Sequence, residues 1–312
     1  MEHIEKQKII SICKLILRIL IGTFFITTAV LKLLSLDNFE IYIYSFKLFD
    51  FILCTIIARW VIAAELLFGI LLIAKIFYKQ GWWLTMAMLF GFTLLLIYTA
   101  IFRNDANCHC MGDLVQISPV VSIFKNLLTM ALMLLIRKEH DYHFKGRFAV
   151  TIAALVIAIG IPFILFPMDS VVNHFRSNET KVDMPQFQQF MKDSTIQALN
   201  LDEGKYIVAY LAAGCQYCEI SGRKVNTIVD NQKLDTNRIV YFIWGKDQKI
   251  KEYKKITGAT HFKYVTISPL TAVKIVYGQF PTYLFLQDGK IVKTADYRHL
   301  DDKSITDFLK KQ

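Results

Sequence analysis

Lys205-Tyr-Ile-Val-Ala-Tyr-Leu-Ala-Ala-Gly-Cys215-Gln-Tyr-Cys218 decides the fold of the second half of this chain. The run Lys205–Leu211 reads as a buried strand. Past the two cysteines a helical pattern continues through Val225 and Ile228. A Cys-x-x-Cys at a strand-to-helix junction has a mechanical logic. Its first sulfur sits at the helix N-terminus, where unpaired amides and the helix dipole favour a thiolate. Its second sulfur lies one turn on and can close a disulfide. Downstream the sequence predicts a strand at Arg238–Trp244, a helix near Gln248–Ile256 and a strand at Lys263–Ile267. In Gly278–Val292 an Asp288-Gly289 turn separates two apolar runs, a hairpin signal. Pro281 stands just before the first of these runs, where a cis peptide is accommodated. A helix near Lys303–Leu309 completes the pattern.

The first half is of another kind. Of the 312 residues 54% are hydrophobic and mean hydropathy is +0.38, too apolar for an ordinary water-soluble surface. The excess lies in long runs up to about Pro167, and from Met168 onward the composition is that of a soluble domain. We therefore expect a membrane domain at 1–167, a linker at 168–183 and an α/β domain at 184–312. The formal net charge of +10 does not indicate nucleic acid. Basic residues flank apolar runs in the first half and mix with acidic ones in the second, with no basic stripe interleaved with aromatics.

Five runs approach the ~20 residues a spanning helix needs: Ile9–Leu34, Phe51–Phe77, Trp82–Phe102, Val115–Ile136 and Phe148–Pro167. The first is too long, and lacks the small-residue cleavage site, for a removed signal peptide. Lys14 and Arg18 inside it can snorkel to an interface, and Trp82 and Trp83 suit an interfacial aromatic belt. Lys6, Lys8, Lys75, Lys79, Arg137, Lys138, Lys145 and Arg147 mark one side of the membrane. The other loops are poorer in net positive charge, with Lys47 among Asp37, Glu40 and Asp50, and Arg103 with Asp105 and Asp113. The positive-inside rule then puts the N-terminus in the cytoplasm. Five crossings carry the α/β domain, and the 103–114 loop, to the outer side.

That loop holds a second close pair, Cys108 and Cys110. Pairs this close cannot staple distant parts of a fold and point to redox chemistry or metal binding. A disulfide between residues two apart closes a strained ring, which is labile and oxidising. Soft-metal binding by Cys108, His109, Cys110 and Met111 is the competing reading. For the Cys-x-x-Cys, a zinc site would need a second ligand pair, and only His261 and His299 are at hand from the motif onward to Pro281 and just beyond. Arg59, Glu65 and Lys125 are charged residues inside spans, with Asn126 beside the last, and are functional candidates by default. We expect Glu65 to pair with Lys125, joined by Asn126, and take these four as a polar pocket, a candidate seat for a quinone headgroup. Lys32 is a further such charge; it and Arg59 lie in the outer part of their spans, with Glu65 and Lys125 nearer the middle. Cys54 is a candidate third redox thiol, and Cys13 reads as a small apolar packer.

Two resemblances extend these readings. From Met184 to Gln312 the order of strand, Cys-x-x-Cys helix and Phe-Pro-Thr before the last hairpin resembles the thioredoxin fold. That resemblance implies Cys215 as the attacking thiol, Cys218 as the resolving thiol and Pro281 as the cis-proline beside the disulfide. Gly214 stands where thioredoxin itself has tryptophan, so the direction of electron flow is not carried over. Asn107-Cys108-His-Cys110-Met-Gly112-Asp resembles the Cys-Gly-Cys-Phe-Gly signature of the MauE/DoxX-like membrane family. Ala29-Val-Leu-Lys32 with Phe39, Ala64-Glu65-Leu-Leu-Phe-Gly69 and Phe124-Lys125-Asn126 support it over about Ile16–Ile136. It implies a four-helix membrane core and a role in redox maturation of envelope proteins. The expectation is thus a bacterial inner-membrane thiol–disulfide oxidoreductase with its thioredoxin-like domain in the periplasm. Electrons would pass between Cys215/Cys218 and Cys108/Cys110, with envelope protein thiols and the bilayer as partners and no resident metal or cofactor required. A non-catalytic assembly factor and a copper-delivery protein are the alternatives.

Overall fold

The computed structural model describes residues 2–103, 105, 107–113, 115–139, 141–175 and 180–310, with side chains from Glu5 onward. It divides into two compact units, 1–42 with 55–167 and 43–54 with 168–312. One division falls between Pro167 and Met168, and 43–54 belongs to the second unit. There Asn231 Nδ2 donates to the Tyr44 carbonyl (2.8 Å) and Phe51 N to Asp302 Oδ2 (3.3 Å). No periodicity in the sequence signals those hydrogen bonds.

The first unit is helical: α1 (Glu2–Leu34), α2 (Leu36–Tyr44), α3 (Phe51–Ala74), α4 (Tyr78–Phe102), α5 (Pro119–Leu135) and α6 (Arg147–Gly160), the last running on as a π-helical turn, Ile161–Leu165. The boundary of the two units crosses α2 and α3 near their ends. α1, α3, α4 and α6 with its π turn are long and apolar enough to cross a membrane. The expected span Val115–Ile136 is a shorter helix of 17 residues. Ser118 caps it by accepting from Val121 N, and Pro119 takes the first helical position, so 115–118 stay outside. At 1.5 Å per residue α5 rises ~25 Å, the lower end of what a bilayer core requires. Large apolar side chains point outward, Leu20, Phe90 and Ile152 among them, while Thr85, Thr93, Thr99, Ser122 and Asn126 are buried inside. This polar-in, apolar-out arrangement suits a lipid solvent. Trp82 departs from the belt expected for it. It is buried, its Nε1 donating to the Met133 carbonyl (2.8 Å), and only Trp83 faces outward.

The second unit carries α7 (Asp169–Phe175), α8 (Met184–Met191), α9 (Ser194–Gln197), β1 (Lys205–Ala212), α10 (Gln216–Gln232), β2 (Ile239–Trp244), α11 (Asp247–Thr257), β3 (Lys263–Thr266), α12 (Pro269–Val276), β4 (Thr282–Gln287), β5 (Lys290–Ala295) and α13 (Asp302–Lys310). Its strands order β3-β2-β1-β4-β5, with β1, β2 and β3 parallel and β4 and β5 antiparallel. One face packs Val208, Tyr210, Val240, Phe242, Leu284 and Leu286 against Phe187 of α8 and Ile275 and Val276 of α12. With helices on both faces, nearly every β1 residue is buried, which is why that strand reads as a continuous apolar run. This is a thioredoxin-like domain. Part of the expected linker is ordered, since α7 lies in it, while 176–179 fall outside the described residues.

Candidate functional site

β1 delivers the chain through Ala213 and Gly214 to Cys215, which is the N-cap of α10. In that position its sulfur accepts from Cys218 N (3.4 Å). Hydrogen bonding from the Cys218 thiol, helped by the Cys218 and Tyr217 amides and opposed by burial, lowers the Cys215 pKa to about 6. Cys218 is buried, receives Ala212 N at 3.5 Å, and has its pKa pushed up by that burial. One thiol is thus acidified and partly exposed, the other enclosed with its pKa raised. The Phe280–Pro281 peptide is cis, as expected. Pro281 and Tyr217 of the motif line one cleft of about 520 Å³, together with Gln279, Phe280, Tyr297 and Arg298. Tyr217 stacks on Tyr297 (centroids 4.6 Å, 25° between planes), and Arg298 Nε donates to the Tyr297 hydroxyl (2.7 Å).

Behind α10 lies a polar network that the sequence does not announce. Ser221 Oγ and the Tyr253 hydroxyl both donate to the Cys218 carbonyl (3.0 and 3.1 Å), and the Tyr283 hydroxyl donates to Ser221 Oγ (2.9 Å). Tyr253 and Tyr283 read as core aromatics in their own elements, and only the packing of α11 and β4 against α10 joins them.

The second cysteine pair is also built in. Cys108 N donates to the Ile117 carbonyl (2.9 Å), and Cys110 N approaches Cys108 Sγ at 3.2 Å. Cys108 Sγ lies 2.9 Å from Ser122 Oγ on the first turns of α5, and Cys108 is only 2% exposed. Gly112 has φ of +66°, and a Cβ there would meet the Leu31 carbonyl and Ser35 Oγ of the α1–α2 corner. Ser35 Oγ in turn accepts from Asp113 N (3.1 Å). His109 turns to Asp113 (2.6 Å) and to the Tyr42 ring (4.6 Å). Interaction with the Cys110 thiol, then the Ser122 hydroxyl, lowers the Cys108 pKa to about 6 against the opposing effect of burial. Cys110 is raised by the same Cys108 interaction and by desolvation.

The intramembrane charges pair differently from expectation. Glu65 is bound by Lys32, at 2.6 and 2.7 Å to its two oxygens, with Thr28 3.4 Å away. Lys125 does not meet it and lies over the Phe24 ring at 5.4 Å. Asn126 donates to Thr93 Oγ1 (3.3 Å). Arg59 binds Glu40 and the Thr55 and Phe166 carbonyls. The four residues expected to form one polar pocket are thus committed to separate partners. Position along one run does not reveal the stagger between α1 and α3 that brings Lys32 to Glu65. Cys54 is buried, and Cys13 is exposed and not packed as expected.

Fold and sites together define the class: a MauE-like membrane domain joined to a thioredoxin-like redox domain. Residues 10–137 match the family described as methylamine utilisation protein MauE. Over the whole length the chain is similar to Protein TlpB of Flavobacterium psychrophilum, at 28% identity, with 94% of this chain and 97% of that protein covered. No solved structure matches it.

Proposed function

We propose that this protein is a membrane-anchored thiol–disulfide oxidoreductase of the bacterial cell envelope, with Cys215 as the attacking thiol and Cys218 as the resolving one. The observation that carries the reading is the asymmetry of that pair at the head of α10, one thiol acidified and open, the other enclosed. The cleft beside Pro281 and Tyr217 has the size for a client peptide segment. The similarity to Protein TlpB along both domains supports treating them as one working unit. In this reading the N-terminus is cytoplasmic and both cysteine pairs face the periplasm, because the basic loops lie on the opposite side. Electrons pass between Cys215/Cys218 and Cys108/Cys110 by thiol–disulfide exchange. His109 is engaged with Asp113 and Tyr42, which favours exchange over soft-metal capture by this loop. Arg59, Glu65, Lys125 and Asn126 are engaged with separate partners, which does not favour a quinone headgroup held by all four.

The test is redox cycling of the full chain in lipid nanodiscs. Replacing Cys108 with Ser abolishes multiple turnover of the Cys215/Cys218 pair if the two exchange electrons. Unchanged cycling in that variant refutes the exchange, and cycling lost on Cys215→Ser alone leaves the thioredoxin-like domain as a self-contained oxidoreductase.

A further inference from the structure

The two cysteine pairs are built with opposite polarity. In the thioredoxin-like pair the reachable thiol, Cys215, is the better thiolate, and the enclosed Cys218 is not. In the membrane pair the enclosed thiol is the favoured thiolate. Cys108 is 2% exposed and sits against Ser122, whereas Cys110 is only partly buried. Ser122 is itself fully buried, and shares one face of α5 with Asn126 and Thr129, at helical spacing. Lys125, one turn below Ser122, has no carboxylate at ion-pair distance among the described residues, and its charge favours the thiolate of both cysteines. The other titratable or charged groups acting here are Lys32 of α1 on Cys110, and Tyr42 of α2, which feels both thiols as well as Asp105 and Arg103.

We propose that Ser122 is the positioning residue of the membrane pair: it holds Cys108 as the leaving sulfur, so that an incoming thiolate attacks Cys110 and the pair accepts electrons. The inference rests on the oxidoreductase reading above and adds a direction and an entry point to it. Thiol–disulfide exchange is faster when the sulfur that leaves is the more stable thiolate, and attack falls on the sulfur that can be reached. With the pair oxidised, a client thiolate attacks Cys110 Sγ. The Cys108–Cys110 bond breaks, a client–Cys110 disulfide forms, and Cys108 departs with the bonding electrons to face the Ser122 hydroxyl as donor. The client's second thiol loses its proton to solvent and attacks the client sulfur of that mixed disulfide. Cys110 leaves and is protonated. A client dithiol has been oxidised by two electrons, the membrane pair reduced by two, and one proton stays in solvent because Cys108 remains a thiolate.

The test uses the full chain in lipid nanodiscs with Cys215 and Cys218 both changed to Ser, the membrane pair oxidised, and glutathione as the attacking thiol. After a brief exposure and acid quenching, peptide mass mapping locates the mixed disulfide, which is expected on Cys110. Ser122→Ala should slow reduction several-fold and raise the pH midpoint of Cys108 alkylation by about one unit, tenfold in the thiolate equilibrium. Ser122→Thr, which keeps the hydroxyl, should restore both. Glutathione found mainly on Cys108 overturns the proposal, as does a Ser122→Ala variant with unaltered rate and midpoint. If Ser122→Ala does not fold, the mapping with Ser122 intact still decides. Because glutathione replaces the thioredoxin-like domain, a failed exchange between the two pairs leaves this result unaffected, and the two readings fail separately.

Discussion

Cys215 and Cys218 differ in environment by a single turn of helix, and that difference has a pH signature. The reduced protein should show Cys215 alkylation rising with pH to a midpoint near 6, while Cys218 stays unmodified until far higher pH. A Cys215 pKa depressed below its ordinary value stabilises the folded, reduced form, fully above the ordinary thiol pKa. That stabilisation declines as pH falls below it and is gone once pH has passed through about 6. Cys218→Ala removes the strongest of the stabilising hydrogen bonds and should move the midpoint upward. A midpoint near the ordinary thiol value in the unmodified protein would contradict the N-cap geometry. Lys32 and Glu65 form the second residue-scale case. Both are buried, so Glu65→Gln leaves a cation without its partner and should lower unfolding stability by ~3–5 kcal/mol. The double change Lys32→Met with Glu65→Leu should recover much of that loss in a thermal-unfolding series, because an apolar pair of similar volume carries no desolvation cost.

At the scale of elements, α1 and α3 approach through glycine. A Cβ on Gly22 would lie 2.8 Å from the Gly69 carbonyl, and one on Gly69 the same distance from the Gly22 carbonyl. In a bilayer helices gain from close backbone contact and van der Waals packing, with no hydrophobic drive to replace it. Gly69→Leu should therefore separate these helices and with them the Lys32–Glu65 pair. Its expected readout is a lower melting temperature in detergent together with reduced thermal stability equal to or exceeding that of Glu65→Gln. Gly91, by contrast, has nothing within 4 Å of an added Cβ, so Gly91→Ala serves as the neutral comparison. α10 shows the same dependence of chemistry on elements: its head holds Cys215, while α11 supplies the Tyr253 hydroxyl to the Cys218 carbonyl and β4 supplies the Tyr283 hydroxyl to Ser221 Oγ.

For the whole molecule the prediction is topological. In intact spheroplasts a membrane-impermeant maleimide should modify Cys215, and should fail to reach a cysteine introduced at Lys145 until the membrane is opened. Labelling of both before opening, or of the Lys145 position alone, would reverse the orientation argued from the basic loops. The order of elements was legible because each leaves a local mark. Apolar runs gave the long helices, the Asp288-Gly289 turn gave the hairpin, and Cys-x-x-Cys after a buried strand gave the site. The short helices α7, α8, α9 and α12 escaped because four to eight residues carry too little periodicity to register. The length of α5 depended on capping by Ser118 and Pro119, a local signal that the apolar run on either side concealed.

By itself the sequence determined two domains of opposite solvent preference, a cysteine pair in each, and the helix terminus at which Cys215 sits. These follow from composition and from chemistry within a few residues, where backbone geometry alone decides. Tertiary structure decided which charges meet, assigning Lys32 and not Lys125 to Glu65. It also brought Ser122, fourteen residues along the chain from Cys108, to the Cys108 sulfur. Partners of this kind depend on the rotation and stagger of packed helices, and no one-dimensional spacing contains them.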